Sequence, residues 1–127
     1  MILDASAIVA VLAHELDGSN FRDLIYDADV VRISAAGYVE VGVVLDSRGL
    51  SRDLDQFLEW CGAEIQPVTE SQARLARLAY RRYGRGTGHP ARLNYADCFS
   101  SALAMERMEP LLFSGNDFSQ NDVLVAA

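Results

Sequence analysis

Met1-Ile-Leu-Asp4-Ala-Ser-Ala-Ile-Val-Ala-Val-Leu-Ala13 opens the 127-residue chain, and the fold follows from how it is read. Three apolar residues end on an aspartate, and an apolar run follows with no glycine or proline between them. That pattern predicts a short buried strand passing directly into a helix over residues 6–13. A second helical turn or two is expected at 20–26, and the next strand at 30–33. Ser34 reads as the N-cap of a long helix to residue 46, ended by Arg48-Gly49. Another helix at 52–61 is closed by Gly62, and a third strand is expected at 63–68.

Thr69-Glu-Ser-Gln72 is a capping box that opens an amphipathic helix through Tyr83. Gly84-Arg-Gly-Thr-Gly-His-Pro90 is a loop. Asn94 starts a helix to residue 106, a fourth strand spans 110–113, Gly115-Asn-Asp117 is a turn, and 123–125 forms a last edge strand. Strands separated by helices imply right-handed crossovers. The expectation is one α/β domain over residues 1–127, a three-layer α/β/α fold around a central, mainly parallel sheet of about four to five short strands. Ligands of such sheets bind beyond the carboxyl ends of the strands.

Composition narrows the chemistry. Half the residues are apolar and 23% are charged, with a formal net charge of −7. All eleven basic residues are arginine. Without lysine there is no Walker A loop, no Schiff-base amine and no receiver-type phosphorylation site. Cys61 and Cys98 are too far apart for a CxxC pair and read as two thiols in a reducing compartment. The apolar run at 5–13 lacks the preceding positive charge of a signal peptide, and no uninterrupted apolar segment reaches the ~20 residues of a membrane span. The chain is therefore expected to be cytoplasmic, with no membrane partner.

The acids are placed suggestively. Asp4 comes at the carboxyl end of the first strand and Asp117 just after the fourth. Glu40 is the one charged residue in an otherwise apolar stretch of helix, where an unpartnered buried carboxylate costs several kcal/mol. Asp97 lies in the first turn of another apolar helix. Structural alternatives stand beside three of them: Asp4 as a helix cap, Asp97 as the acid of a cap with Asn94, Asp117 as a turn former. If the fold gathers all four, their mutual repulsion calls for a cation. Oxygen-only ligands select Mg²⁺, with Mn²⁺ able to substitute. Such an ion suits phosphodiester hydrolysis. A metal-free ribonuclease would need paired histidines, yet His14 and His89 fall in unrelated contexts, and no GxSxG elbow exists.

Local positive charge favours a nucleic-acid partner despite the acidic total. The segment 74–92 holds six arginines and no acid, while the other residues hold five arginines and all eighteen acids. Arg74, Arg77 and Arg81 fall on one helical stripe, with Arg85 and Arg92 in and beyond the glycine loop. Guanidinium forks suit RNA phosphates. The alternatives are a solvated face, with Glu70 and Arg74 as an ordinary i,i+4 pair, or docking of an acidic partner.

Four blocks in order resemble the PIN domain, and within it the VapC-type toxins of bacterial VapBC toxin–antitoxin pairs: Met1-Ile-Leu-Asp-Ala-Ser-Ala7, Ile33-Ser-Ala-Ala-Gly-Tyr-Val-Glu40, Gly88-His-Pro-Ala-Arg-Leu-Asn-Tyr-Ala-Asp-Cys-Phe99 and Leu111-Leu-Phe-Ser-Gly-Asn-Asp-Phe118. The resemblance covers essentially all 127 residues. It implies that Asp4, Glu40, Asp97 and Asp117 are catalytic and hold the metal, that Ser6 and Asn116 support them, and that Asp122 is a further acid of the site. It also implies an endoribonuclease dependent on Mg²⁺ or Mn²⁺, in which water activated by the metal cleaves RNA to 5′-phosphate and 3′-hydroxyl ends. A homodimer and a VapB-type antitoxin are implied, with DNA reached only through the antitoxin. Ser114 departs from the family, standing where relatives often carry lysine. The alternative is a catalytically silent PIN-like module that binds RNA or an antitoxin-like peptide.

Overall fold

The computed structural model describes residues 1–115 and 125–126. Strands β1 (Ile2–Leu3), β2 (Arg32–Ser34), β3 (Glu64–Gln66) and β4 (Leu111–Leu112) form one sheet in the order β3-β2-β1-β4, every pair parallel. Val125 adds an isolated parallel bridge to Leu111, where an edge strand was expected over 123–125; residues 123 and 124 lie outside the described residues.

Six helices make the crossovers: α1 (Ala5–Leu12), α2 (Gly18–Asp27), α3 (Ala35–Ser47), α4 (Ser51–Cys61), α5 (Glu70–Tyr83) and α6 (Asp97–Arg107). Successive residues of a strand face opposite sides of a sheet, and the cores divide accordingly. Leu3, Ile33 and Leu112 pack with α1 to α4, whereas Ile2 and Leu111 pack with α5 and α6. Both faces are covered at β1 and β4, which is why these read as short apolar runs, whereas β3 at the edge, Glu64-Ile65-Gln66, is largely exposed. None of the described helices is long and apolar enough to cross a membrane.

Local signals account for most boundaries. Ser34 Oγ accepts from the Ala36 amide at 3.2 Å and caps α3. Gly62 ends α4 with φ 62°, a left-handed conformation in which a Cβ would be strained. Thr69 Oγ1 accepts from the Gln72 amide at 3.2 Å, giving half of the expected capping box. The other half is absent, because the Gln72 side chain crosses instead to α6 and donates to Glu106 Oε1 at 2.9 Å. The loop at 84–90 contains a short 3₁₀ turn, Arg85–Thr87, tied down by Arg85 N to Leu93 O and Leu93 N to Tyr83 O, both 2.8 Å.

Several boundaries differ from expectation: β2 spans Arg32–Ser34 rather than 30–33, β3 Glu64–Gln66 rather than 63–68, and α2 Gly18–Asp27 rather than 20–26. The last helix begins at Asp97 rather than Asn94, because Asn94 is held outside it as a capping partner. At the opposite end of the sheet, Glu109 accepts from the Met1 amine and from Arg107 Nε, both 3.1 Å, and from Arg32. Those cations hold its carboxyl below the usual range against the cost of desolvation. This network clamps the amino ends of β1 and β2, away from the strand ends where ligands bind.

Candidate active site

β1 lies between β2 and β4, so the chain leaves its carboxyl end at the point where the sheet order reverses. Asp4 stands there. It is 2% exposed and caps α1: its Oδ2 accepts from Ser6 N at 3.0 Å and from Ser6 Oγ at 2.6 Å. Its Oδ1 accepts from Ser100 Oγ of α6 at 2.7 Å. Three donors thus replace the water that burial removes. Ser6 Oγ also accepts from the Ser114 amide at 3.0 Å, which fixes the segment after β4 against the start of α1.

Asp97 is 5% exposed and opens α6. Its Oδ2 accepts from the Asn94 amide at 2.9 Å, and its own amide donates to Asn94 Oδ1 at 2.8 Å. The structural alternatives for Asp4 and Asp97 are therefore both realised. They do not exclude a second role, since a carboxylate offers about four lone-pair sites, more than a capping bond alone occupies.

Glu40 projects from the middle of α3. Burial pushes its carboxyl up to about 7, and the negative charge of Asp4 adds to the shift. Asp4, Glu40 and Asp97 line one cleft of about 370 Å³ together with Ser6, Asn94 and Ser114. Glu15 joins them, and among the described residues no basic side chain lines the cleft.

Two contributors escaped sequence reasoning. Glu15 reaches the cleft because His14 adopts φ 55°, which lets the Glu15 amide fold back onto Ala10 O at 2.9 Å. Nothing in the sequence announces a left-handed histidine. Ser100 does carry a signal: it lies one helical turn after Asp97, and so on the same face of that helix.

Asn116, Asp117 and Asp122 lie outside the described residues. Among the described residues, no group of three His, Cys, Asp or Glu side chains is arranged to hold an ion. The chemistry of the donor set nevertheless fits a hard divalent cation: the lining offers carboxylate and hydroxyl oxygens, with neither sulfur nor imidazole. Positive charge there would relieve the repulsion between Asp4 and Glu40.

The arginines lie elsewhere. Arg74 Nε binds Glu70 Oε2 at 3.2 Å, the ordinary i,i+4 pair on an exposed face. Arg77 and Arg81 line a separate groove between α5 and α6. Arg85 and Arg92 are exposed, Arg92 with φ 51°.

Comparison with known proteins agrees with this geometry. The PIN domain family model matches residues 1–124. The chain is 53% identical over 126 residues to Ribonuclease VapC28 of Mycobacterium tuberculosis, covering 97% of this chain and 95% of that protein. It is 44% identical to Ribonuclease VapC of Mycolicibacterium smegmatis, covering 97% of each. A toxin–antitoxin complex from Klebsiella pneumoniae contains a chain of the same fold, with a TM-score of 0.74 at 15% identity, covering 98% of this chain and 94% of that one. A parallel sheet with buried acids at its switch point, matched along nearly its whole length, places this chain in the PIN-domain family, among the VapC ribonucleases.

Proposed function

We propose that the protein is a divalent-metal-dependent endoribonuclease, the toxin of a toxin–antitoxin pair, acting in the cytoplasm as a homodimer and restrained by a VapB-type antitoxin. The observation that carries this reading is the shared cleft of Asp4, Glu40 and Asp97 at the carboxyl end of the sheet, with Glu40 pushed up to about 7. Such a site suits a cation better than a proton donor–acceptor pair. The names of the relatives supply the substrate class, and the Klebsiella complex supplies the kind of partner.

Asp4, Glu40 and Asp97 would hold Mg²⁺ or Mn²⁺, with Asp117 as the fourth acid. When bound, the ion polarises a phosphodiester oxygen and lowers the pKa of attacking water. The residues around it keep the carboxylates still. Ser6 and Ser100 fix both oxygens of Asp4, and Asn94 fixes Asp97 Oδ2. Preorganisation of this kind avoids reordering charge during the reaction. The apolar walls of Ala5, Val9 and Val44 limit water around the carboxylates.

The experiment is RNA cleavage by wild type and by the Asp4→Asn, Asp97→Asn double variant, with Mn²⁺ and with EDTA. Cleavage confined to the wild type with Mn²⁺ is expected. Equal cleavage by the folded double variant would contradict the reading, and RNA binding without cleavage under every condition would favour the silent binding module.

A further inference from the structure

A second concavity, about 410 Å³, runs between α5 and the start of α6. Ala76 forms part of its floor, the rings of Tyr80, Tyr95 and Phe99 line it, and Arg77 and Arg81 border it. Its volume lies within the roughly 300–1,000 Å³ of small-ligand sites. Tyr95 is 78% exposed and meets Phe99 edge-on, with ring centroids 5.0 Å apart at 78°. Among the described residues Arg77 and Arg81 form no ion pair, in contrast to Arg74 on the same stripe.

The groove and the acid cleft share a wall. Asn94 and Asp97 face the cleft, while Tyr95 and Cys98 face the groove. The two cavities therefore flank one short stretch of chain, residues 94–98. A polynucleotide laid across this stretch meets both cavities.

We propose that this groove is a nucleobase subsite, taking a base of single-stranded RNA next to the phosphodiester that is cut; this rests on the ribonuclease reading above. Aromatic faces bordered by guanidinium groups are what an unpaired nucleotide recognises, the ring stacking on the base and the cation meeting the phosphate. Charge selects this occupant over a second copy of the chain. An isologous contact through the same face would bring two acid-free, arginine-rich segments together, and like charges across an interface oppose association.

The test measures binding of a short oligouridylate in EDTA, where no cleavage intervenes, by wild type, Tyr95→Ala, Tyr95→Phe and Arg77→Ala. Tyr95→Ala is expected to weaken binding about tenfold, with an unchanged dependence on salt. Tyr95→Phe keeps the aromatic face and is expected to bind as wild type. Arg77→Ala is expected to lower the salt slope by about 0.7. An oligomer carrying abasic nucleotides is expected to bind wild type and Tyr95→Ala alike. Wild-type affinity in Tyr95→Ala, with wild type still cutting RNA, overturns the subsite and leaves the nuclease standing. Wild type that neither binds nor cuts RNA overturns both. Unchanged RNA affinity with lost self-association in Tyr95→Ala gives the groove to a second copy and also overturns the subsite.

Discussion

Ser100 Oγ donates to Asp4 Oδ1 at 2.7 Å, a buried bond between residues 96 positions apart that ties α6 to the end of β1. Removing the donor by Ser100→Ala leaves an acceptor oxygen short of a partner, which costs about 1–3 kcal/mol in a buried setting. The expected result is a lower Tm and a higher Mn²⁺ concentration for half-maximal cleavage, because Asp4 is held less firmly. A half-saturating concentration equal to that of the wild type would assign the bond to stability alone.

Asp97 both caps α6 and lines the cleft, and two substitutions separate these roles. Asn retains an oxygen able to accept from the Asn94 amide, whereas Ala does not. Asp97→Asn is expected to keep a near-wild-type Tm and lose cleavage. Asp97→Ala is expected to lose cleavage and about 1 kcal/mol of stability besides. Thermal melts beside cleavage assays make the comparison.

The raised pKa of Glu40 has a definite sign in the absence of divalent ions. The native carboxyl titrates near 7 and the unfolded one near 4.5, so between these values the native state binds the proton more tightly. Stability from this group is present below about 4.5 and is lost as pH rises through about 7. Glu40 is half-exposed, so solvent screening keeps the loss well below the ~3 kcal/mol that the full shift corresponds to. Relative to Glu40→Gln, wild type is expected to lose Tm between pH 5 and 8 in EDTA, and to regain it when millimolar Mn²⁺ is added. Parallel Tm curves for the two proteins would show that Glu40 carries no such strain.

Gly84 closes α5 where a side chain does not fit. A Cβ would lie 2.4 Å from Tyr80 O and 2.7 Å from its ring. Gly84→Ala is expected to cost about 1–3 kcal/mol by overpacking and to shift Tyr80 in the α5/α6 groove. A denaturant melt gives the first quantity, and the fluorescence of the tyrosines reports the second.

The helix caps were legible because their chemistry is local: Ser34, Thr69 and Gly62 act on residues within a turn of themselves. Asp4 was legible for a different reason, since a strand running into a helix fixes where its last residue must lie. Gln72 misled, because its side chain had both a local partner available and a distant one, and the distant Glu106 won. Glu15 was hidden behind a positive φ at His14, and the groove walled by Tyr80 and Tyr95 exists only once α5 packs on α6. Contacts set by tertiary packing leave no periodic trace in the sequence. Asp117, read from its place in the sequence after the fourth strand, lies outside the described residues.

The central claim is that the acid cleft binds a divalent cation, and calorimetric titration of Mn²⁺ into the wild type and into Asp4→Asn tests it most directly. Asp4→Asn keeps the shape of the cap while giving up its charge, so both proteins should be folded. Saturable binding by the wild type, lost in Asp4→Asn, is the expected result. Equal binding by the two proteins, or none by either, would contradict it.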